Sequence, residues 1–349
     1  MEYYVTIAIP LYNASKYIRE TMASVLEQTF KEIEILIIDD KGTDESIKII
    51  QHIQESHPRG KDIRIVSHDR NLGVAAARNT AIREAKGKYL FYLDSDDRIT
   101  SNCIEILYHA SIQAKSEATY ASYREQWENK KQCDIEFTLP DIVFDGEDQL
   151  AQFANQNLRQ TLRSFVWNVL YDLTFLRNTK IKFQSVKIWE DLLFYYDLIP
   201  LIKKAILLKD VTYIYIKREG SLSNYQPRTE ISREEIREHI LIREYCKQRC
   251  KQLTTKPYFD NLLTKTMRIC IDTAAVAVEK RKIFVPRLDT SEIKKLLKHP
   301  LPFVSICKLK KYRVFNIMAY LFSILPEWLL TAILATYIKF LKIYRKHKH

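Results

Sequence analysis

Apolar and polar positions alternate in blocks along the first hundred residues. Val5-Thr6-Ile7-Ala8-Ile9 reads as a short strand that Pro10 stops. Ile18, Met22, Val25 and Leu26 then recur at helical spacing, with Asn13 or Ser15 as N-cap. Ile35 to Ile38 predicts a second strand, ended by Asp39-Asp40, and Ile47, Ile50 and Ile53 a second helix. A third strand over 63–66, a third helix over 75–85 and a fourth strand over 89–93 complete the block. Strands this apolar, separated by helices, predict an α/β fold with a mostly parallel central sheet covered on both faces. Ligands bind such sheets beyond the carboxyl ends of the strands. Pro10-Leu11-Tyr12-Asn13, Asp39-Asp40 and Asp94-Ser95-Asp96-Asp97 all fall there.

After residue 118 the pattern is mixed, with an aromatic and acidic segment at Trp189-Glu190-Asp191. From about residue 229 it becomes helical and charged. The expected organisation is an α/β domain over 1–225, a helical region over 226–312 and an apolar, basic tail over 313–349, with the first boundary near Tyr225-Gln226-Pro227. Two apolar runs, 314–325 and 328–338, are separated by Pro326-Glu327, and each is shorter than the ~18–20 residues of a clean membrane span.

Charge sharpens the reading of that tail. The chain has 55 Lys and Arg against 43 Asp and Glu, net +12. Nine basic side chains and one acid follow residue 300, so the last 49 residues, which include the tail, supply +8 and the rest is nearly balanced. Basic residues around apolar runs, with Trp328, Tyr337 and Tyr344, point to a monotopic or re-entrant contact with anionic lipid. A helix pair packed on the protein's own core is the competing reading. Nucleic acid is not an expected partner, because the charge sits beside apolar residues. The opening apolar run is too short for a signal peptide, which places the protein by default at the cytoplasmic face of the membrane. The six cysteines form no CxxC pair, and ordinary thiols are expected, with Cys246 and Cys250 on one helix. The eight histidines show no ligand spacing and read as structural or surface residues.

Only six glycines occur, none spaced as GxGxxG or GxxxxGK. Dinucleotide and P-loop phosphate cradles are therefore excluded. A phosphate-bearing ligand would need another counter-charge, and carboxylates holding Mg²⁺ or Mn²⁺ can supply it. Asp94-Ser95-Asp96 at a strand end suits that role, although the spacing by itself also fits a solvated acidic turn.

Ordered blocks decide between them. Ile9-Pro10-Leu11-Tyr12-Asn13, Ser24-Val25-Leu26-Glu27-Gln28-Thr29 and Glu34-Ile35-Leu36-Ile37-Ile38-Asp39-Asp40 come first. Asn71-Leu72-Gly73 with Ala77-Arg78-Asn79, and Leu93-Asp94-Ser95-Asp96-Asp97, follow. Val166-Trp167-Asn168-Val169-Leu170-Tyr171, Trp189-Glu190-Asp191-Leu192-Leu193-Phe194 and Arg218-Glu219-Gly220-Ser221-Leu222-Ser223 come last. Over roughly residues 3–225 the chain resembles the family 2 glycosyltransferases of the GT-A fold. Where that family usually has Asp-Asp-Gly-Ser, this chain has Asp39-Asp40-Lys41-Gly42.

The resemblance implies an inverting, metal-dependent transfer of sugar from a nucleotide-sugar, a UDP-sugar foremost, to a hydroxyl of a glycan or lipid-linked acceptor. It implies that Pro10 and Tyr12 border the nucleoside and that Asp40, or Asp39, accepts from the base. Arg78 and Arg218 approach the diphosphate, and Ser95 joins the donor-binding set. Asp96 ligates the Mg²⁺ or Mn²⁺, Asp94 lies nearer the ribose or donor sugar and can share the metal, and Asp191 is the catalytic base. Asp97 reads as a turn or capping residue. Trp167, Trp189, Tyr195 and Tyr196 could form an acceptor platform, but the balance favours ordinary core packing. A nucleotidyltransferase would show a basic glycine-rich N-terminal loop, which Pro10-Leu11-Tyr12-Asn13 is not. A binding module that has lost its chemistry is the other alternative, and the presence of both Asp96 and Asp191 weighs against it.

Overall fold

A computed structural model describes residues 3–128, 133–158, 161–218, 231–286 and 288–346. Ser221, its neighbours in the Arg218–Ser223 block and the boundary at Tyr225-Gln226-Pro227 lie outside the described residues. The chain divides into two compact units, Met1–Leu150 with Ser164–Gln226, and Ala151–Arg163 with Pro227–His349.

The first unit alternates strands and helices as far as its fourth strand: β1 (Val5–Leu11), α1 (Ile18–Leu26), β2 (Ile33–Asp39), α2 (Ser46–Ser56), β3 (Ile63–Ser67), α3 (Val74–Glu84) and β4 (Tyr89–Tyr92). Then come β5 (Arg98–Ile99), α4 (Cys103–Ala114), β6 (Ala118–Trp127), β7 (Ile135–Phe137), β8 (Ile142–Asp145) and the start of α5 (Gln149–Ala154), whose residues from Ala151 on belong to the second unit. It closes with β9 (Val169–Asp172), α6 (Leu173–Thr179), α7 (Glu190–Leu198) and β10 (Lys204–Lys217). The sheet runs β3-β2-β1-β4-β9-β6-β10-β5, with β7 on β6 and β8 on β10. The β3-β2-β1-β4 part is parallel, β9 is antiparallel to both β4 and β6, and β6 and β10 are parallel to each other. The fold is α/β, with helices around one mixed sheet.

All seven residues of β1 and of β2 are buried, as their near-continuous apolar sequences require. Glu34 is the acid buried within that run, apart from Asp39 at its end. It accepts from Thr6 Oγ1 (2.6 Å), Lys86 N (2.8 Å) and Arg64 Nε (2.8 Å), so its charge is compensated. Gly87 passes so close to β1 that a Cβ would stand 2.6 Å from Thr6 N.

Pro10 does not stop β1, which continues to Leu11. The Ala8 carbonyl accepts from Leu93 N (3.1 Å), and Pro10, two residues on, faces the same side. The β1–β4 register ends at Ala8↔Tyr92, so the missing N–H of Pro10 costs no ladder bond. Neither proposed cap acts on α1. Tyr17 occupies the N-cap position with no side-chain bond, and Asn13 Oδ1 instead accepts from Thr43 N (2.7 Å).

Among the described residues the second unit is mainly helical: α8 (Arg233–Gln252), α9 (Phe259–Lys280), α10 (Thr290–Leu297), α11 (Phe303–Cys307), α12 (Arg313–Ile324) and α13 (Glu327–Lys346). Leu263, Met267, Cys270, Ala274 and Ala275 make α9 its buried centre. Cys246 and Cys250 are buried on α8, and Cys250 Sγ lies 3.3 Å from Thr266 Oγ1. Lys247, buried, donates to the carbonyls of Lys295, Leu296 and Lys298 at the end of α10, where a cation meets the orphaned carbonyls of a helix terminus.

The two apolar runs of the tail form α12 and α13, and no described helix is long and apolar enough to cross a membrane. Each presents two faces. Leu330 and Leu334 are fully buried, and the Tyr337 hydroxyl donates to Asp272 of α9 (2.7 Å). Tyr337 is therefore tied inward rather than presented as an anchor. On α12, Asn316 is buried and donates to Thr264 Oγ1 (2.8 Å). Val314, Met318, Leu321 and Ile324, on the same helix, and Trp328 at the start of α13 are exposed, Trp328 by 74%.

Candidate active site

The polar clusters occupy the carboxyl ends of β1, β2 and β4. Tyr12, 49% exposed just after β1, presents an open aromatic face, and Pro10 is buried behind it. After β2, Asp39 Oδ1 accepts from Lys41 N (3.1 Å), and Lys41 takes the left-handed φ of 57° where a glycine would be usual in such a turn.

Asp40 is held by partners within the fold. Its Oδ1 lies 2.7 Å from His68 Nδ1 and accepts from Leu72 N (2.8 Å), while Oδ2 accepts from Gly73 N (2.8 Å). His68 Nε2 in turn lies 2.9 Å from Thr80 Oγ1 on α3. The carboxylate thus pins the loop that leads into α3, where Gly73 (φ 88°) adopts a backbone that side chains disfavour. Both oxygens of Asp40 are thus engaged by internal partners, whereas Asp39 has one oxygen on the Lys41 N–H.

The pinned helix carries Arg78. This arginine is 5% exposed, donates through Nη1 to Glu190 Oε1 and through Nη2 to Asp94 Oδ1 (3.2 Å), and lies over the Phe183 ring at 5.7 Å. Tyr92 Oη donates to its backbone carbonyl (3.0 Å). Arg78 therefore joins the first acid of β4's terminal cluster to the N-terminus of α7. The neighbouring carboxylates raise its already high pKa further, against the effect of burial.

Glu190 and Asp191 open α7, and the arrangement divides their labour. Glu190 is buried against Arg78, whereas Asp191 Oδ1 accepts from Leu192 N (2.7 Å). Burial, reinforced by the charge of Glu190, lifts Asp191 to about 7, with Arg78 opposing. A carboxylate near neutrality is suited to accept a proton at physiological pH.

The remaining acids lie in the turn after β4. Asp96 Oδ2 accepts from Arg218 Nη1 (2.6 Å), and its backbone carbonyl accepts from Arg218 Nη2. The Arg218 guanidinium lies 3.9 Å from the centre of the Tyr17 ring. Burial and the charge of Asp94 push Asp96 upward, and Arg218 pulls it down. Ser95 contributes a backbone carbonyl that accepts from Thr21 Oγ1 (3.1 Å). Asp97, 1% exposed, is more than a turn residue: it accepts from Tyr213 Oη (2.8 Å) and Ile216 N (2.8 Å), fastening the turn to β10.

Asp94 and Asp96 are partly exposed acids two residues apart, and among the described residues no three His, Cys, Asp or Glu side chains converge as a metal cage. That donor set fits Mg²⁺ or Mn²⁺ only in the open manner, one or two carboxylates with ligand oxygens completing the shell. It does not fit an enclosed structural metal.

Two of the four candidate platform aromatics pack in the core, as the sequence balance favoured. Trp167 is buried and stacks on Phe165 and Tyr213, each at 4.4 Å, and Tyr196 is also buried. Packing owns these two rings. Trp189 is 45% exposed beside Glu190 and remains the accessible aromatic of the four. His68, Thr80, Tyr17 and Tyr213 are the contributors that sequence reasoning passed over. None carries a motif, because each acts by touching a residue that does.

Residues 6–138 match the family model described as "Glycosyl transferase family 2". The chain is 29% identical over 223 residues to "Glycosyltransferase GlyA" of Streptococcus pneumoniae, covering 63% of this chain and 31% of that protein. It is 41% identical over 102 residues to "Chondroitin synthase" of Escherichia coli, covering 29% of this chain and 14% of that one. The chain thus spans a third or less of the length of these two relatives. Among solved structures, S. aureus TarS 1-349 in complex with UDP-GlcNAc aligns over 96% of this chain and 92% of that one, with a TM-score of 0.66 at 17% identity. That likeness establishes a shared fold.

Proposed function

Through residues 6–138 the chain is a member of glycosyl transferase family 2, and on that premise we propose that it moves a sugar from a nucleotide-sugar to a hydroxyl of a glycan or lipid-linked acceptor, with inversion, in cell-surface polysaccharide synthesis. The observation that carries the reading is the pairing at α7. Arg78 engages Glu190, while burial raises the pKa of Asp191 beside it to about 7, within electrostatic reach of Asp94 in the turn after β4.

The nucleoside lies against Tyr12 and Pro10, with its base edge on Asp39. Arg78, braced by Asp94 and Glu190, and Arg218 face the diphosphate. Asp191 takes the proton of the acceptor hydroxyl as its oxygen bonds to the anomeric carbon and the bond from that carbon to the diphosphate breaks. The nucleoside diphosphate leaves with the bonding electrons. Asp96, with Asp94, would hold Mg²⁺ or Mn²⁺, which when bound supplies charge neutralisation for the leaving group. A UDP-sugar is the donor we favour, because TarS, which shares the fold, was crystallised with UDP-GlcNAc. The base at α7 favours this enzyme reading over an inactive binding module.

The protein works at the cytoplasmic face of the membrane as a peripheral or monotopic protein. The support is the exposed apolar face of α12, with Trp328, amid the +8 charge of the last 49 residues. Equilibrium binding of UDP and UDP-sugars, with and without Mn²⁺, tests the site. Micromolar binding that Mn²⁺ strengthens and Asp96→Ala weakens supports the assignment. Equal affinity in excess EDTA refutes the metal's part in it.

A further inference from the structure

Two of the three acids in the turn after β4, Asp94 and Asp96, each face an arginine, and the two arginines differ in their mounting. Arg78 is clamped between Asp94 and Glu190 from within α3. Arg218 reaches Asp96 from the end of β10, lies 3.9 Å from the centre of the Tyr17 ring, and is 8% exposed beside a carboxylate side chain that is 42% exposed. The oxygen it grips, Asp96 Oδ2, belongs to the acid best placed to ligate a divalent cation. A Mg²⁺ or Mn²⁺ ion binds a carboxylate oxygen at about 2.1 Å. With Arg218 Nη1 at 2.6 Å from the same oxygen, the two cationic centres would crowd one another.

We propose that Arg218 is the resident counter-cation of Asp96 and that a divalent cation must exchange with it. This rests on the reading of Asp96 as a metal ligand. On displacement the guanidinium keeps its support on the Tyr17 ring and turns its N–H groups to a new anion, the donor diphosphate. The exchange is uphill with metal alone, because a largely buried guanidinium loses its carboxylate. It becomes favourable when diphosphate oxygens replace that carboxylate and complete the metal's shell. Metal and nucleotide therefore bind cooperatively, and Arg218 carries the coupling.

The test is Mn²⁺ affinity of the full chain by electron paramagnetic resonance, with and without UDP, in wild type, Arg218→Ala, Arg218→Lys and Asp96→Asn. Relieved of its competitor, Arg218→Ala binds Mn²⁺ alone about tenfold more tightly, equivalent to about 1.4 kcal/mol. The enhancement of Mn²⁺ affinity by UDP falls by a similar factor. Arg218→Lys keeps the positive charge and stays within about threefold of wild type. If the alanine variant melts early, Arg218→Gln provides the comparison with most of the side chain's volume retained. Loss of Mn²⁺ binding in Asp96→Asn, with unchanged affinity in Arg218→Ala, overturns the exchange while leaving the metal site in place. Undiminished Mn²⁺ binding in Asp96→Asn overturns the metal site and the exchange together.

Discussion

Asp191→Asn separates chemistry from binding and from folding in one substitution. In the folded protein burial holds Asp191 at about 7, against an ordinary value of 3.8. That is about three units, and at 1.36 kcal/mol per unit it bounds the cost of ionising this group in the fold at about 4 kcal/mol. The side chain is not fully enclosed, so solvent screening reduces this to about 1–3 kcal/mol. Because the folded pKa is raised, the native state binds its proton more tightly than the unfolded chain does. The resulting stability is present below pH 4 and is lost as pH rises through 7. Asparagine cannot ionise. The variant should therefore match wild type at pH 4 and melt higher at pH 8, by roughly 2–4 °C for each kcal/mol recovered. Turnover at pH 8 falls by about 10²–10⁴-fold, the contribution of a positioned base, while donor affinity stays unchanged. Wild-type activity rises through pH 7, being roughly a tenth of its plateau at pH 6, and the variant's residual activity lacks that limb. Calorimetry, thermal melts and nucleotide release with acceptor read the three quantities. Near-normal turnover would transfer the proton to another group, Glu190 first. Lost donor binding, or a lower melting temperature at pH 8, would refute the environment assigned to Asp191.

Asp40→Ala leaves Leu72 N, Gly73 N and His68 without their shared acceptor and should destabilise the first unit by about 2–4 kcal/mol, with weaker nucleotide binding; unchanged melting with lost nucleotide affinity would instead favour the base contact first expected of Asp40. Leu334→Ala, fully buried where α13 packs on α9, should cost about 2–4 kcal/mol in the second unit, read by denaturant titration. Deleting everything after residue 313 would uncover α9, so the membrane reading is better tested by changing Val314, Met318, Leu321 and Trp328 together to Ser. That variant should keep its melting temperature and lose binding to vesicles containing anionic lipid; retained binding, or no vesicle binding by wild type, sinks the membrane contact.

The first four strands and three helices were legible because each repeats an apolar period at its own spacing and ends in turn chemistry. The later strands β6 and β10 were not. Arg124, Glu125, Lys209 and Asp210 interrupt their apolar patterns, and long-range pairing with each other and with β9 holds them in the sheet. Motif spacing located the acids but could not say which would be consumed by the fold. Asp39 and Asp40 are adjacent and chemically alike, yet Asp40 is taken by His68 and the loop before α3, partners 28 to 33 residues away. Glu190 and Asp191 are distinguished the same way, by Arg78 more than a hundred residues earlier. The tail's two faces were hidden for a related reason: an apolar helical stripe reads alike whether α9 or a lipid surface covers it.

Sugar transfer itself is tested most directly by nucleotide release from a panel of UDP- and GDP-sugars with Mn²⁺, with and without glycan and lipid-linked acceptors. The account predicts that one UDP-sugar is turned over, that a cognate acceptor accelerates release, and that the product bears the sugar with inverted anomeric configuration. Tight donor binding with no acceptor-dependent release across the panel, or a product that retains configuration, would contradict it.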